Sequence, residues 1–148
     1  MVLINLAIVA SLLAPLSFAA KSCPTRPADG DRLTCTVDGK LVFFSNAAAA
    51  QLAKVAPSGE GLKTATNYPH EFQNFGGEIT WDNQACNSDS VRTLEFPIAP
   101  DGSMYPWNVK PKADPGDCRV VYSMTDGHYC GVMCHRTGGK GFNKCPLS

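Results

Sequence analysis

Two imidazoles, one carboxylate and one guanidinium are the residues of this chain best suited to chemistry: His70, His135, Glu95 and Arg119. Together they suit proton transfer at a phosphate, because a carboxylate or imidazole can take a proton, an imidazolium can give one, and a guanidinium can hold charged oxygens. Each alone has an ordinary reading. A histidine in a small domain is more often a surface or satisfied core residue, and Arg119 could be a surface cation beside Asp117. Glu95 sits in the strand-like run Thr93-Leu94-Glu95-Phe96, so Leu94 and Phe96 point together into a core while the carboxylate takes the other face. The third histidine, His128, abuts a turn and reads as structural. Cys130, Cys134 and His135 do not suggest a metal: haem attachment needs two residues between the cysteines, where three stand, and zinc would need a second ligand pair. No cofactor is expected.

A hairpin must position two of these residues. The runs RVVYSM and HYCGVMCH flank Thr125-Asp126-Gly127, which reads as a three-residue loop with glycine at the left-handed position. In that register Cys118 faces Cys134 and Arg119 faces Met133, so Arg119, Met133 and His135 share one face and the two cysteines the other. A two-residue Asp-Gly turn would shift the register by one. Upstream, RLTCTVDGKLVFF from Arg32 to Phe44 reads as two strands around Asp38-Gly39. Ser45-Asn46, then AAAAQLAKVA and Pro57-Ser58-Gly59, give a capped helix with a stop. Beyond it Gly and Pro punctuate short strand-like runs. The expected fold is one α+β domain, an N-terminal helix packed on a twisted antiparallel β-sheet and stapled by disulfides.

The 148 residues suffice for one small domain. Residues 1–19 carry no charged side chain and end in Ser17-Phe18-Ala19, the pattern of a secretory signal peptide; the missing Lys or Arg near Met1 leaves an uncleaved anchor open. Residues 20–34 read as an irregular arm or short pro-segment, and 35–148 as the domain. All seven cysteines follow the signal, which agrees with secretion into an oxidising compartment. The 13 basic and 13 acidic side chains balance, but from Lys21 to Met104 there are 7 basic and 10 acidic residues, and from Tyr105 to Ser148 there are 6 and 3. The C-terminal third is the better place to hold an anion, without the basicity that coats nucleic acid tightly.

Tyr68-Pro69-His70, Leu94-Glu95-Phe96-Pro97, Pro100-Asp101-Gly102, Cys118-Arg119-Val120-Val121-Tyr122 and Cys130-Gly131-Val132-Met133-Cys134-His135, in that order, resemble the fungal guanyl-specific extracellular ribonucleases and their sarcin-type ribotoxin relatives. The resemblance runs from about Cys35 to Cys145. It implies a secreted, metal-independent endoribonuclease that cleaves single-stranded RNA to a 2′,3′-cyclic phosphate. By the same resemblance Glu95 is the base, His135 the acid, His70 the partner of the base, Arg119 the phosphate stabiliser and Tyr68 a hydrogen-bond donor to phosphate. Phe72, Gln73, Asn74 and Phe75 would bind the substrate base, with Lys110 and Lys112 as further substrate contacts. The family's cysteine positions imply Cys35–Cys145 and Cys86–Cys130, beside Cys118–Cys134 from the hairpin, which leaves Cys23 without an assigned partner. The base-reading segment lacks the family's carboxylate at Gly76, with Glu78 two residues on, so guanine preference is an open expectation. The loop from Glu71 to Leu94 has one Arg and four acidic residues, unlike the strongly basic loop of the ribotoxins. RNA is the expected partner of a monomer, with neither DNA nor a membrane; the alternatives are a ribotoxin acting on ribosomal RNA and a noncatalytic RNA-binding effector on the same scaffold.

Overall fold

The computed structural model describes residues 30–148. The signal peptide, residues 20–29 of the arm, and Cys23 lie outside the described residues. Two strands, β1 (Arg32–Val37) and β2 (Lys40–Ser45), form a hairpin with Arg32 opposite Ser45. Its turn residues Asp38 and Gly39 both have positive φ, 48° and 75°, the conformation that matches the twist of a two-residue hairpin. The hairpin is a two-stranded sheet of its own. The folded domain also begins before Cys35: Leu33 is buried, and Asp31 accepts hydrogen bonds from the Ala47 N–H (2.8 Å) and the Ser45 hydroxyl (2.6 Å). Residues 30–34 are therefore structural and not an irregular arm.

Helix α1 (Asn46–Val55) starts where expected, because Ser45 Oγ accepts the Ala48 N–H at 3.1 Å and satisfies one of the free donors of the first turn. It stops before Pro57, which cannot continue the ladder. Ala49, Leu52 and Ala53 bury its inner face.

The main sheet has five antiparallel strands in the order β3 (His70–Phe72), β4 (Thr93–Pro97), β5 (Cys118–Ser123), β6 (Tyr129–His135) and β7 (Phe142–Lys144). The expected pairing of Cys118 with Cys134 and Arg119 with Met133 is present. The expected three-residue loop is not. Ser123 N–H bonds the His128 carbonyl at 2.9 Å, so four residues, 124–127, make the turn. The register then shifts between Val121–Gly131 and Tyr122–Tyr129, leaving Cys130 as an extra residue, a β-bulge. Turn and bulge offset each other by one residue each, which restores the distal pairing.

Alternate residues divide the sheet into two faces. Leu94, Phe96, Val120, Tyr122 and Val132 meet α1 and the hairpin in the larger core. On the opposite face Val121, Met133, Ile79 and Trp81 form a smaller cluster with the Cys86–Cys130 disulfide. Cys35–Cys145 and Cys118–Cys134 are also formed. Their sulfurs touch, with Cys134 Sγ 3.6 Å from Cys145 Sγ.

Candidate active site

The smaller face carries the residues singled out for chemistry. In the β3–β4 register His70 lies opposite Glu95, and Nε2 of His70 meets Oε1 of Glu95 at 2.6 Å. Glu95 is buried, 6% exposed, between the two core residues Leu94 and Phe96. The other ring nitrogen, Nδ1, bonds the Asn67 carbonyl at 2.9 Å, which makes it the donor and directs Nε2 to the carboxylate. The Glu95 hydrogen bond, aided by the Asn67 carbonyl, raises the His70 pKa above the usual 6.5 against the opposing effect of burial. Asn67 was not foreseen as part of the site. Its φ of 66° is left-handed, a conformation asparagine tolerates better than most residues, and it aims the carbonyl at the ring.

Arg119 is 3% exposed. One terminal nitrogen donates to the carbonyls of Pro115 (3.2 Å), Gly116 (2.8 Å) and Cys118 (2.9 Å), and the other to Tyr68 Oη at 2.9 Å. It has no carboxylate partner among the described residues, and its buried Nε–H is unbonded. Burial also raises the Tyr68 pKa and keeps the phenol protonated. The Tyr68 ring stacks on His70 (4.7 Å between centroids) and lies 5.0 Å beneath Lys112 Nζ. Tyr68, His70, Glu95 and Arg119 are thus one connected group. His135 joins it through the sheet, two residues beyond Met133, which pairs with Arg119. Its ring packs 4.1 Å from Phe142, and its Nδ1 is buried with no partner among the described residues.

The residues expected to bind a base divide. Phe72 packs edge-on against Trp81 and Phe142, while Phe75 is 76% exposed. Gln73 is exposed. Asn74 spends its side-chain amide on Ile79, donating to its carbonyl (2.6 Å) and accepting its N–H (3.0 Å), so it holds the loop. Phe72, Phe75, Glu78, Gly141 and Phe142 border a cavity of about 280 Å³. Glu78 places a carboxylate at the border of this cavity, where Arg136 pairs with it at 3.3 Å. Lys112 adjoins the site through Tyr68; Lys110 is exposed and makes no side-chain contact there.

A Glu–His pair beside a buried, uncompensated guanidinium on a five-stranded antiparallel sheet defines an acid–base site for an anionic substrate. The sequence model of the ribonuclease family matches residues 30–146, and the chain belongs to that family of RNA-cleaving enzymes. It is 32% identical to ribonuclease clavin of Aspergillus clavatus over 126 residues, 70% of this chain and 71% of that one. It is 31% identical to guanyl-specific ribonuclease U1 of Ustilago sphaerogena over 101 residues, 68% of this chain and 84% of that one. Among solved structures it is similar to the Aspergillus ribotoxin restrictocin, with a TM-score of 0.65 at 29% identity over 77% of this chain and 98% of that one. The match to the cytotoxic ribonuclease α-sarcin has a TM-score of 0.67 at 26% identity over 78% and 98%.

Proposed function

We propose that this chain is a secreted, monomeric endoribonuclease that cleaves single-stranded RNA through the substrate's own 2′-hydroxyl and leaves DNA intact. Glu95, braced by His70, takes the 2′-hydroxyl proton. The 2′-oxygen then forms a bond to phosphorus, the bond to the 5′-oxygen breaks, and His135 protonates the leaving oxygen, giving a 2′,3′-cyclic phosphate and a free 5′-hydroxyl. Arg119 and Tyr68 donate to the non-bridging oxygens, whose charge grows in the phosphorane. The observation that carries this reading is Arg119: a buried guanidinium that has, among the described residues, no carboxylate partner and keeps an unspent donor, 2.9 Å from Tyr68 Oη, is completed by an anion. A metal has no role in this scheme because the one carboxylate in the group, Glu95, is already bonded to His70. The glutamate bordering the 280 Å³ cavity favours a base with two adjacent N–H donors, and guanine has that edge. Secretion is supported by the leader-like residues 1–19 and by three disulfides.

Oligoribonucleotides with one 2′-deoxy nucleotide stepped across the cut test the mechanism. Cleavage should survive EDTA, stop when the deoxy position is 5′ of the cut, and give a cyclic phosphate end. A 5′-phosphate product would mean that water is the nucleophile. A second reading, attack on ribosomal RNA, is favoured by the likeness to restrictocin, which has been solved with a 29-mer sarcin/ricin domain RNA analogue and matches at a TM-score of 0.60. Intact ribosomes yielding one discrete fragment, with free oligonucleotides untouched, would select it.

A further inference from the structure

Two of the three disulfides touch. Cys134 Sγ lies 3.6 Å from Cys145 Sγ, and the sulfurs of Cys35, Cys134 and Cys145 all stand within 4.8 Å of one another. A disulfide opens when a thiolate bonds to one of its sulfurs and the other leaves with the electron pair. A thiolate made at Cys134 therefore has the Cys35–Cys145 bridge already beside it. Closing that gap to a bond of about 2.05 Å is a shift that side-chain rotation supplies. The four cysteines of the two bridges are at most 5% exposed, so a reagent must reach them through a cavity. A cavity of about 380 Å³ lies between Val37, Val42 and Phe44 of the hairpin and the segment that joins β4 to β5, and Cys118 is in its wall. Met104 and Asp114, also in its walls, are exposed, so it opens to solvent. Cys35, Cys134 and Cys145 do not line it.

We propose that Cys118 is a modification site for a small thiol entering this cavity, and that its modification opens the Cys35–Cys145 bridge as well. The incoming thiolate bonds to Cys118, and Cys134 leaves as a thiolate. Cys134 then bonds to Cys145, and Cys35 leaves as a thiolate. One external thiolate is taken up and one protein thiolate appears, so atoms and electrons balance. The walls hold the carboxylates of Asp114 and Asp117 and no cationic side chain, so a thiol carrying an amine enters more readily than one carrying an acid. The consequence for RNA rests on the reading proposed above. The carbonyls of Pro115, Gly116 and Cys118 hold Arg119, and these three residues line the cavity. The Cys118–Cys134 bridge also joins the residues immediately before Arg119 and His135. An adduct at Cys118 therefore displaces the guanidinium and releases its spacing from His135, and cleavage falls.

The test treats the full disulfide-bonded protein with cysteamine or with 2-mercaptoethanesulfonate, thiols of similar size and opposite charge, at equal thiolate concentration and about pH 8. Acid quenching, alkylation and peptide mapping follow. The first product should carry cysteamine on Cys118, a Cys134–Cys145 bond, an alkylated Cys35 and an intact Cys86–Cys130 bridge. Cysteamine should form it several-fold faster than the sulfonate does. In the double variant Cys118→Ala, Cys134→Ala, cysteamine should open Cys35–Cys145 at least about tenfold more slowly, because the entry point and the neighbouring thiolate are both gone. An adduct on another of the bridged cysteines, no adduct at all, a Cys35–Cys145 bridge that survives modification of Cys118, or equal rates with the two thiols would overturn the proposal. RNA cleavage by the modified protein should fall at least about tenfold, and undiminished cleavage would overturn the link to Arg119. Untreated protein that cuts no RNA, with the expected peptide map, would overturn the ribonuclease reading and leave the modification site standing.

Discussion

The two faces of the five-stranded sheet are made by alternate residues of the same three central strands, and they follow opposite rules. Toward the helix, Leu94, Phe96, Val120 and Val132 are apolar and almost wholly buried, and the one polar group among them, the Tyr122 hydroxyl, bonds the Pro57 carbonyl at 2.6 Å. On the other face Glu95 and Arg119 are buried just as deeply among Val121 and Met133, and Arg119 keeps an unbonded donor. Burying charge costs stability unless every lone pair and proton is satisfied. The helix face therefore holds the fold, and the opposite face gives up some of that stability for a charge arrangement left incomplete, which the substrate of the proposed reaction would complete.

The largest effect expected from this division is on the helix face. Phe96→Ala should lower stability by about 3–5 kcal/mol in denaturant unfolding, through lost burial and a cavity, with turnover per folded molecule nearly unchanged. Glu95→Ala and His135→Ala should do the reverse. Each should lose at least about a hundredfold in turnover, roughly 2.7 kcal/mol of barrier, with a native far-UV spectrum. Arg119→Lys belongs with them, because a point charge does not replace the planar fork. Equal loss of activity in Phe96→Ala and Glu95→Ala would erase the distinction between the faces.

A smaller effect lies at the boundary between packing and site. A Cβ on Gly131 would come within 2.8 Å of the Trp81 ring, so Gly131→Ala must displace the tryptophan that lies over the smaller cluster. A loss of about 1–3 kcal/mol is expected by thermal or chemical unfolding. The smallest effect concerns His70. Its pKa is raised from 6.5 chiefly by Glu95, so its contribution to stability is full below that value and is lost as pH rises through the folded-state pKa. The melting temperature gap between the native protein and His70→Gln should be wider at about pH 5 than at about pH 8.5. A gap independent of pH would mean that the pair contributes no charge interaction.

The helix face was readable from sequence because its apolar residues alternate with period two in runs of five or more. Helix α1 was readable from Ser45 and Pro57. Strands β3 and β7 were not: three residues such as His70-Glu71-Phe72 carry no period, and they are strands because β4 and β6 supply partners. That omission mattered, since β3 sets His70 against Glu95. The Cys118–Cys134 pairing followed from a turn that does not exist, and a bulge at Cys130 corrected it. The carbonyl of Asn67 was invisible for a simpler reason, since backbone groups have no letter in a sequence. Gly131 did carry a signal, because glycine inside a strand often marks the close approach of another group.

Trp81 has an optical consequence as well. It shares a buried cluster with the Cys86–Cys130 disulfide, and a disulfide beside an excited indole accepts an electron from it and darkens its emission. The chain has two tryptophans, so native fluorescence should come mainly from the half-buried Trp107. Reducing that one bridge, or pulling the strand bearing Gly131 away from the ring, would switch on a second emitter in the buried cluster on the sheet face that carries Glu95 and Arg119, an internal lamp for events on that face.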